Sequence, residues 1–143
     1  MKAIFILCLC LAFAPTIALA GDTSNDAKAV QGNWSPVTAE LSGQPMPAAV
    51  LKTISLKLKN GKYEVFVGEF PDRGTYTIDP ATHSMTVTGT EGPNQGKTFP
   101  AIYELKDDTL RICYDLSGMK RPTEFKSLAG TKLYLVTYHR KQG

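Results

Sequence analysis

Apolar and polar residues alternate with a period of two over most of the chain, the pattern of half-buried strands and not of helices. In I-S-L-K-L-K, residues 54–59, Ile54, Leu56 and Leu58 share one face while Ser55, Lys57 and Lys59 share the other. Asn60-Gly61 follows at once, the dipeptide that best tolerates the positive φ angles of a tight hairpin turn. K-Y-E-V-F-V then resumes the alternation, with Tyr63, Val65 and Val67 on one side. Further runs fall at 73–79, 84–90, 98–105, 109–115 and 132–140. D-P-A-T-H, E-G-P-N-Q-G, K-D-D and D-L-S-G-M-K-R-P lie between them, all turn-rich in composition. With residues 30–41 the set comes to eight strands. Helical character is nearly confined to P-M-P-A-A-V-L-K at 45–52, where Pro47 suits the first turn of a short helix.

Serial strands with hairpin-length links predict an all-β domain: an eight-stranded antiparallel up-and-down barrel with one short helix after the first strand. An open sandwich of the same strands is the alternative. Carried outward from the 60–61 hairpin, the alternation turns Ile54, Leu56, Tyr63, Val65, Tyr76, Val87, Tyr103, Tyr114 and Leu135 inward as candidate ligand-facing residues. Ile78, Met85, Leu110, Ile112 and Leu133 fall on the same face. A barrel of this size is either filled by its own side chains or holds one small ligand. The inward tyrosines need hydrogen-bond partners, which another side chain, water or a guest can supply.

The first twenty residues stand apart from this pattern. Lys2, the apolar run at 4–14 and Ala18-Leu19-Ala20 have the layout of a secretory signal peptide. As a membrane anchor the run is short and is interrupted by Pro15, so no stable anchor is expected after cleavage. Cys8 and Cys10 lie inside the apolar region and would leave with it, so Cys113 remains alone and no internal disulfide forms. A lone thiol of this kind is a small core hydrophobe, a reactive group or a link to another chain. Residues 21–29 are a weakly patterned, flexible lead-in, and 30–143 form one domain. Loss of Lys2 lowers the formal charge from +3 to +2. The remaining charges are mixed in sign, without the dense basic patch of a nucleic-acid binder. A secreted or periplasmic location follows.

Residues 30–35, V-Q-G-N-W-S, hold the only tryptophan. In a small barrel the first strand enters across the closed end, where glycine permits close backbone approach and an indole can plug the floor. Gly32-Asn33-Trp34 resembles the G-x-W signature of lipocalins, and Arg140 stands where that family packs an arginine over the tryptophan. A broader likeness runs through V-Q-G-N-W, G-K-Y, G-T-Y-T-I-D-P, T-E-G-P-N-Q-G-K-T, I-Y-E-L, D-T-L-R-I-C-Y and R-P-T-E-F. Together these resemble the small secreted planctomycete paralogous domain, a lipocalin-like family without an assigned activity. That resemblance implies a fold and an exported location.

Catalytic signals are poor. His83 sits in a turn, His139 ends the last strand without converging ligands, and Asp107-Asp108 reads as a hairpin. No cofactor, metal or enzyme activity is indicated. R-P-T-E-F, in the longest connection, offers Arg121, Glu124 and Phe125 either as a brace, with Arg121 paired to Glu124, or as a recognition loop. Two functions fit: an exported binder of a small, mainly apolar molecule, or a cell-envelope module that meets a protein partner through rim loops 43–49 and 117–125.

Overall fold

The structure, a computed structural model, describes residues 25–142. The expected signal segment lies outside the described residues. The last four residues of the expected lead-in form one helical turn, α1 (Asp26–Ala29). The remaining elements are β1 (Gly32–Leu41), β2 (Gln44–Pro45), α2 (Ala48–Leu51), β3 (Ile54–Lys59), β4 (Lys62–Val67), β5 (Phe70–Asp79), β6 (Ser84–Glu91), β7 (Thr98–Lys106), β8 (Thr109–Asp115) and β9 (Leu133–Arg140).

From β3 to β9 each strand pairs antiparallel with the next, and β1 pairs with both β3 and β9. The sheet therefore closes on itself as an eight-stranded barrel, which removes the sandwich alternative. The ninth strand, β2, is two residues that fold back on the end of β1 through Ser42 and Gly43. Asn60 and Gly61 take φ values of 51° and 76° in the β3–β4 hairpin, as a primed two-residue turn requires. The short helix α2 follows β1 as expected. Its Leu51 is buried, and just before it the Met46 amide donates to Ala39 O at 2.8 Å.

One end of the barrel is sealed. Trp34 is fully buried and its Nε1–H donates to Val30 O at 2.9 Å. The Arg140 guanidinium lies 4.3 Å from the indole ring. It donates from Nη1 to Gln31 O and from Nη2 to Ala29 O, both at 2.7 Å, and from Nε to Asp108 at 3.1 Å. Gly32 has φ 142°, and a Cβ there would lie 2.6 Å from Arg140 Nη1. This position therefore needs glycine for both backbone and space. From below, Asp26 of α1 accepts the Tyr103 hydroxyl at 2.7 Å.

The alternation predicts the inner face correctly on β3, β4, β6 and β8 but not on β9. There Tyr134, Val136 and Tyr138 face the interior, and Leu135 pairs with outward-facing Cys113. Both registers of L-Y-L-V-T-Y are apolar, so alternation alone cannot choose between them. The outer register is apolar because the long β8–β9 connection covers that side: Cys113 is fully buried, with its Sγ 3.5 Å from Lys126 O. Cys113 thus has the core setting expected of a lone structural thiol.

Truncating the floor plug should be costly. Trp34→Ala is predicted to lower the unfolding free energy by about 3–5 kcal/mol, measured by denaturant titration of residues 21–143; wild-type stability would contradict the floor assignment.

Candidate functional site

Above the floor the barrel is hollow. A cavity of about 490 Å³ is walled by Ile54, Leu56 and Leu58 of β3, Val65 of β4, Met85 and Val87 of β6 and Phe99 of β7. Tyr63, Tyr76, Tyr114, Tyr134 and Tyr138 add phenol rings to the wall. Near the β4–β5, β6–β7 and β8–β9 connections, at the end away from Trp34, the lining comprises Val67, Phe70, Pro93, Asn94, Lys97, Leu116 and Lys132. A mainly apolar concavity of this size, with a few polar groups, has the composition of a small-molecule site.

Of the residues expected to face a ligand, Ile54, Leu56, Tyr63, Val65, Tyr76, Val87 and Tyr114 line the cavity. Two do not. Tyr103 points inward but lies at floor level, fully buried, its ring edge-on to His83 at 5.7 Å. Leu135 lies on the outer face for the register reason given above. Tyr134 and Tyr138 take the place expected of Leu135, and Tyr134 stacks on Tyr114 with centroids 5.8 Å apart and planes at 23°.

Burial sets the electrostatics of these phenols. It pushes the Tyr114 hydroxyl well up, although a hydrogen bond with Tyr138 opposes the shift. Tyr138 is also raised, first by burial and then by the neighbouring tyrosines. Tyr63 is pushed up to about 12, by burial first and then by the charge and hydrogen bond of Asp72.

Asp72 is the polar residue that the alternation missed. Strand β5 starts at Phe70, three residues before the alternation first became legible at Arg73. Phe70, Asp72 and Gly74 therefore share the inner face with Tyr76, and the bulge between Arg73 and Gly74 shifts the register on the β6 side only. Gly74 makes the arrangement possible: a Cβ there would meet Tyr63 Cε1 at 2.5 Å and Thr88 O at 2.0 Å. The missing side chain is the space in which the Tyr63 ring lies, with its hydroxyl 3.4 Å from Asp72 Oδ2.

The expected rim residues are already engaged. Arg121 reaches across to donate from Nη1 to Met85 O and Ala101 O, both at 2.7 Å, and from Nη2 to Thr86 Oγ1 at 3.0 Å. It does not pair with Glu124, whose carboxylate lies 3.6 Å from Lys126 Nζ. Phe125 lies under the Arg111 guanidinium, 4.2 Å from centroid to Cζ. Buried Asp115 anchors the start of the loop by accepting from the Ser117 amide at 2.9 Å, the Ser117 hydroxyl at 2.6 Å and the Lys120 amide at 2.8 Å. Burial raises its pKa, but these hydrogen bonds outweigh that and hold it below the usual carboxylate value. The loop is thus strapped to the barrel wall, and Met119 at its tip is 88% exposed.

Two predictions follow from this electrostatic setting. Because tyrosines raised above their unfolded value of 10.0 keep their protons longer in the folded state, the stability they contribute is fully present below about pH 10. It is lost as pH rises through about 12, the Tyr63 value. Tyrosinate absorbance should therefore appear at higher pH in native than in guanidinium-unfolded protein, and coincident titrations would contradict the burial assigned here. Arg121→Ala should cost about 2 kcal/mol, as its charge-assisted bonds to Met85 O, Ala101 O and Thr86 Oγ1 are lost, read from the denaturation midpoint.

Neither a protein-family model nor a curated protein matches the chain. Two solved structures are similar to it. One is a DUF4847 family protein from Bacteroides vulgatus ATCC 8482, 16% identical, covering 79% of this chain and 95% of that one with a TM-score of 0.49. The other is an uncharacterised protein from Bacteroides eggerthii DSM 20697, 10% identical, covering 78% of this chain and 98% of that one with a TM-score of 0.46.

Proposed function

We propose that the protein is an exported carrier that holds one small, mainly apolar molecule inside its barrel. The observation that carries this reading is the cavity of about 490 Å³ above a floor closed by Trp34 and Arg140. A self-filled barrel of the same topology would place large side chains in the space that this one leaves open between Leu56, Val65, Met85 and Val87. Export to a secreted or periplasmic site rests on the signal-peptide layout of residues 1–20. A binding role is preferred to an enzymatic one because the sequence offers no acid, base and nucleophile set.

A second reading, a rim that meets an envelope protein, is favoured by exposed Met119 beside Lys120 on the strapped loop. Arg121 and Phe125 are occupied within the chain, so a partner would meet the loop tip instead.

Native mass spectrometry of residues 21–143, recovered from the producing cells and compared with the denatured sample, tests the carrier reading. An added mass of a few hundred daltons, the size of ligand such pockets hold, is expected and should vanish on denaturation. A bare polypeptide mass that no lipophilic compound shifts would overturn it.

A further inference from the structure

We infer that the occupant of this cavity carries a hydrogen-bond-donating head, an amine or a hydroxyl, which is recognised by Asp72. The inference rests on the carrier reading above and adds the polar half of the ligand.

An inward carboxylate breaks the apolar pattern of the barrel wall. On β5 it occupies the position between Phe70 and Gly74 on the inner face, directly across from Val65. Its hydrogen bonding is incomplete. Oδ2 accepts a good bond from Asn94 Nδ2 at 2.7 Å. The Tyr63 hydroxyl at 3.4 Å lies beyond the usual range for two oxygens. Oδ1 is buried and is the one side-chain oxygen or nitrogen without a partner in the buried set of the described residues. No cation compensates, since Asp72 takes part in none of the ion pairs among the described residues. An ionised carboxylate can accept about four bonds, and one good bond leaves it short of donors in a setting where an unmet acceptor is costly.

The local backbone is arranged to keep this group covered. Gly92 has φ 88°, and a Cβ there would stand 2.7 Å from Pro71 O and 3.3 Å from Asp72 Oδ1. Glycine thus lets the β6–β7 connection lie down on the carboxylate. The same connection is pinned by the Gly89 amide to Lys97 O and the Gly96 amide to Gly89 O, both at 2.9 Å. Pro93 and Asn94 consequently join the cavity lining beside Asp72. A carboxylate turns easily about its terminal torsion, so the missing donor can be supplied to either oxygen from the cavity side. An apolar body would fill the space between Leu56, Val65, Met85 and Val87, and its head would lie at Asp72.

Lys97 and Lys132 also border the cavity and would favour an acidic head. Both are exposed, so water and salt screen their charge, whereas Asp72 acts from within the wall.

The test is displacement of 1,6-diphenylhexatriene, a probe without polar groups, by dodecylamine, dodecan-1-ol and dodecanoate, the amine and the acid below their micelle concentrations and the alcohol below its solubility limit. In the wild-type mature chain the amine and the alcohol should displace the probe at concentrations about tenfold lower than the acid, as for one charge-assisted hydrogen bond. Asp72→Asn should remove most of that preference, read as the ratio of the displacing concentrations of amine, alcohol and acid within the variant itself. The wild-type ranking stands by itself should the variant fold poorly. Equal displacement by all three, or preference for dodecanoate, overturns the inference and leaves the carrier reading intact. Failure of the probe and of every dodecyl compound to bind overturns both.

Discussion

The contact between Arg140 and Trp34 decides whether this chain has an inside. It joins the last residue of β9 to the first strand and to the carbonyls of the segment before it, at the point where the barrel must close. A partly buried guanidinium over an indole face is worth about 1 kcal/mol, and here the same group also donates to the Gln31 and Ala29 carbonyls of the segment before β1. Gly32 is the accommodation made for it, since a side chain at that position would displace the guanidinium. With this end closed and packed, the remaining volume of the barrel can open only toward the loops.

What lies above the floor follows from side-chain size. The floor layer uses Trp34, Tyr103, Leu110 and Ile112, all fully buried. The upper layers use smaller groups, Val65 and Val87, and tyrosines that stand along the wall. Their phenols find one another or the cavity, and burial raises the pKa of each of Tyr63, Tyr76, Tyr114, Tyr134 and Tyr138. The strapped β8–β9 loop belongs to the same design. By holding Met85 and Ala101 carbonyls through Arg121 it stiffens the wall from outside, without using the interior.

Most of the barrel was legible because period-two alternation survives wherever one face is wet. The 54–67 hairpin and the strand count are visible in residue order, whereas the packing of Arg140 over Trp34 was implied only by the resemblance to the lipocalin signature. Legibility ended where a physical cause was remote in sequence. On β9 both faces are apolar because the distant loop covers the outer one, so Leu135 reads as inward and Tyr134 and Tyr138 are passed over. Tyr103 has the right face but the wrong height, which only the helical turn carrying Asp26 reveals. Asp72 was hidden because Pro71 beside it reads as a connection, although counting back in twos from Tyr76 would have reached it. Arg121 was expected either to pair with Glu124 or to serve recognition, because its main acceptors are backbone carbonyls, which carry no signature in the sequence.

The central claim is that the interior is hollow, open at one end and sealed at the other. Methyl and indole NMR of residues 21–143, with and without a saturating guest such as dodecan-1-ol, tests it most directly. The account predicts shifts at the methyl groups of Leu56, Val65, Met85 and Val87, with the Trp34 Nε1–H resonance nearly unmoved. Methyl shifts confined to the outer surface, or a displaced Trp34 signal with silent wall methyls, would contradict it.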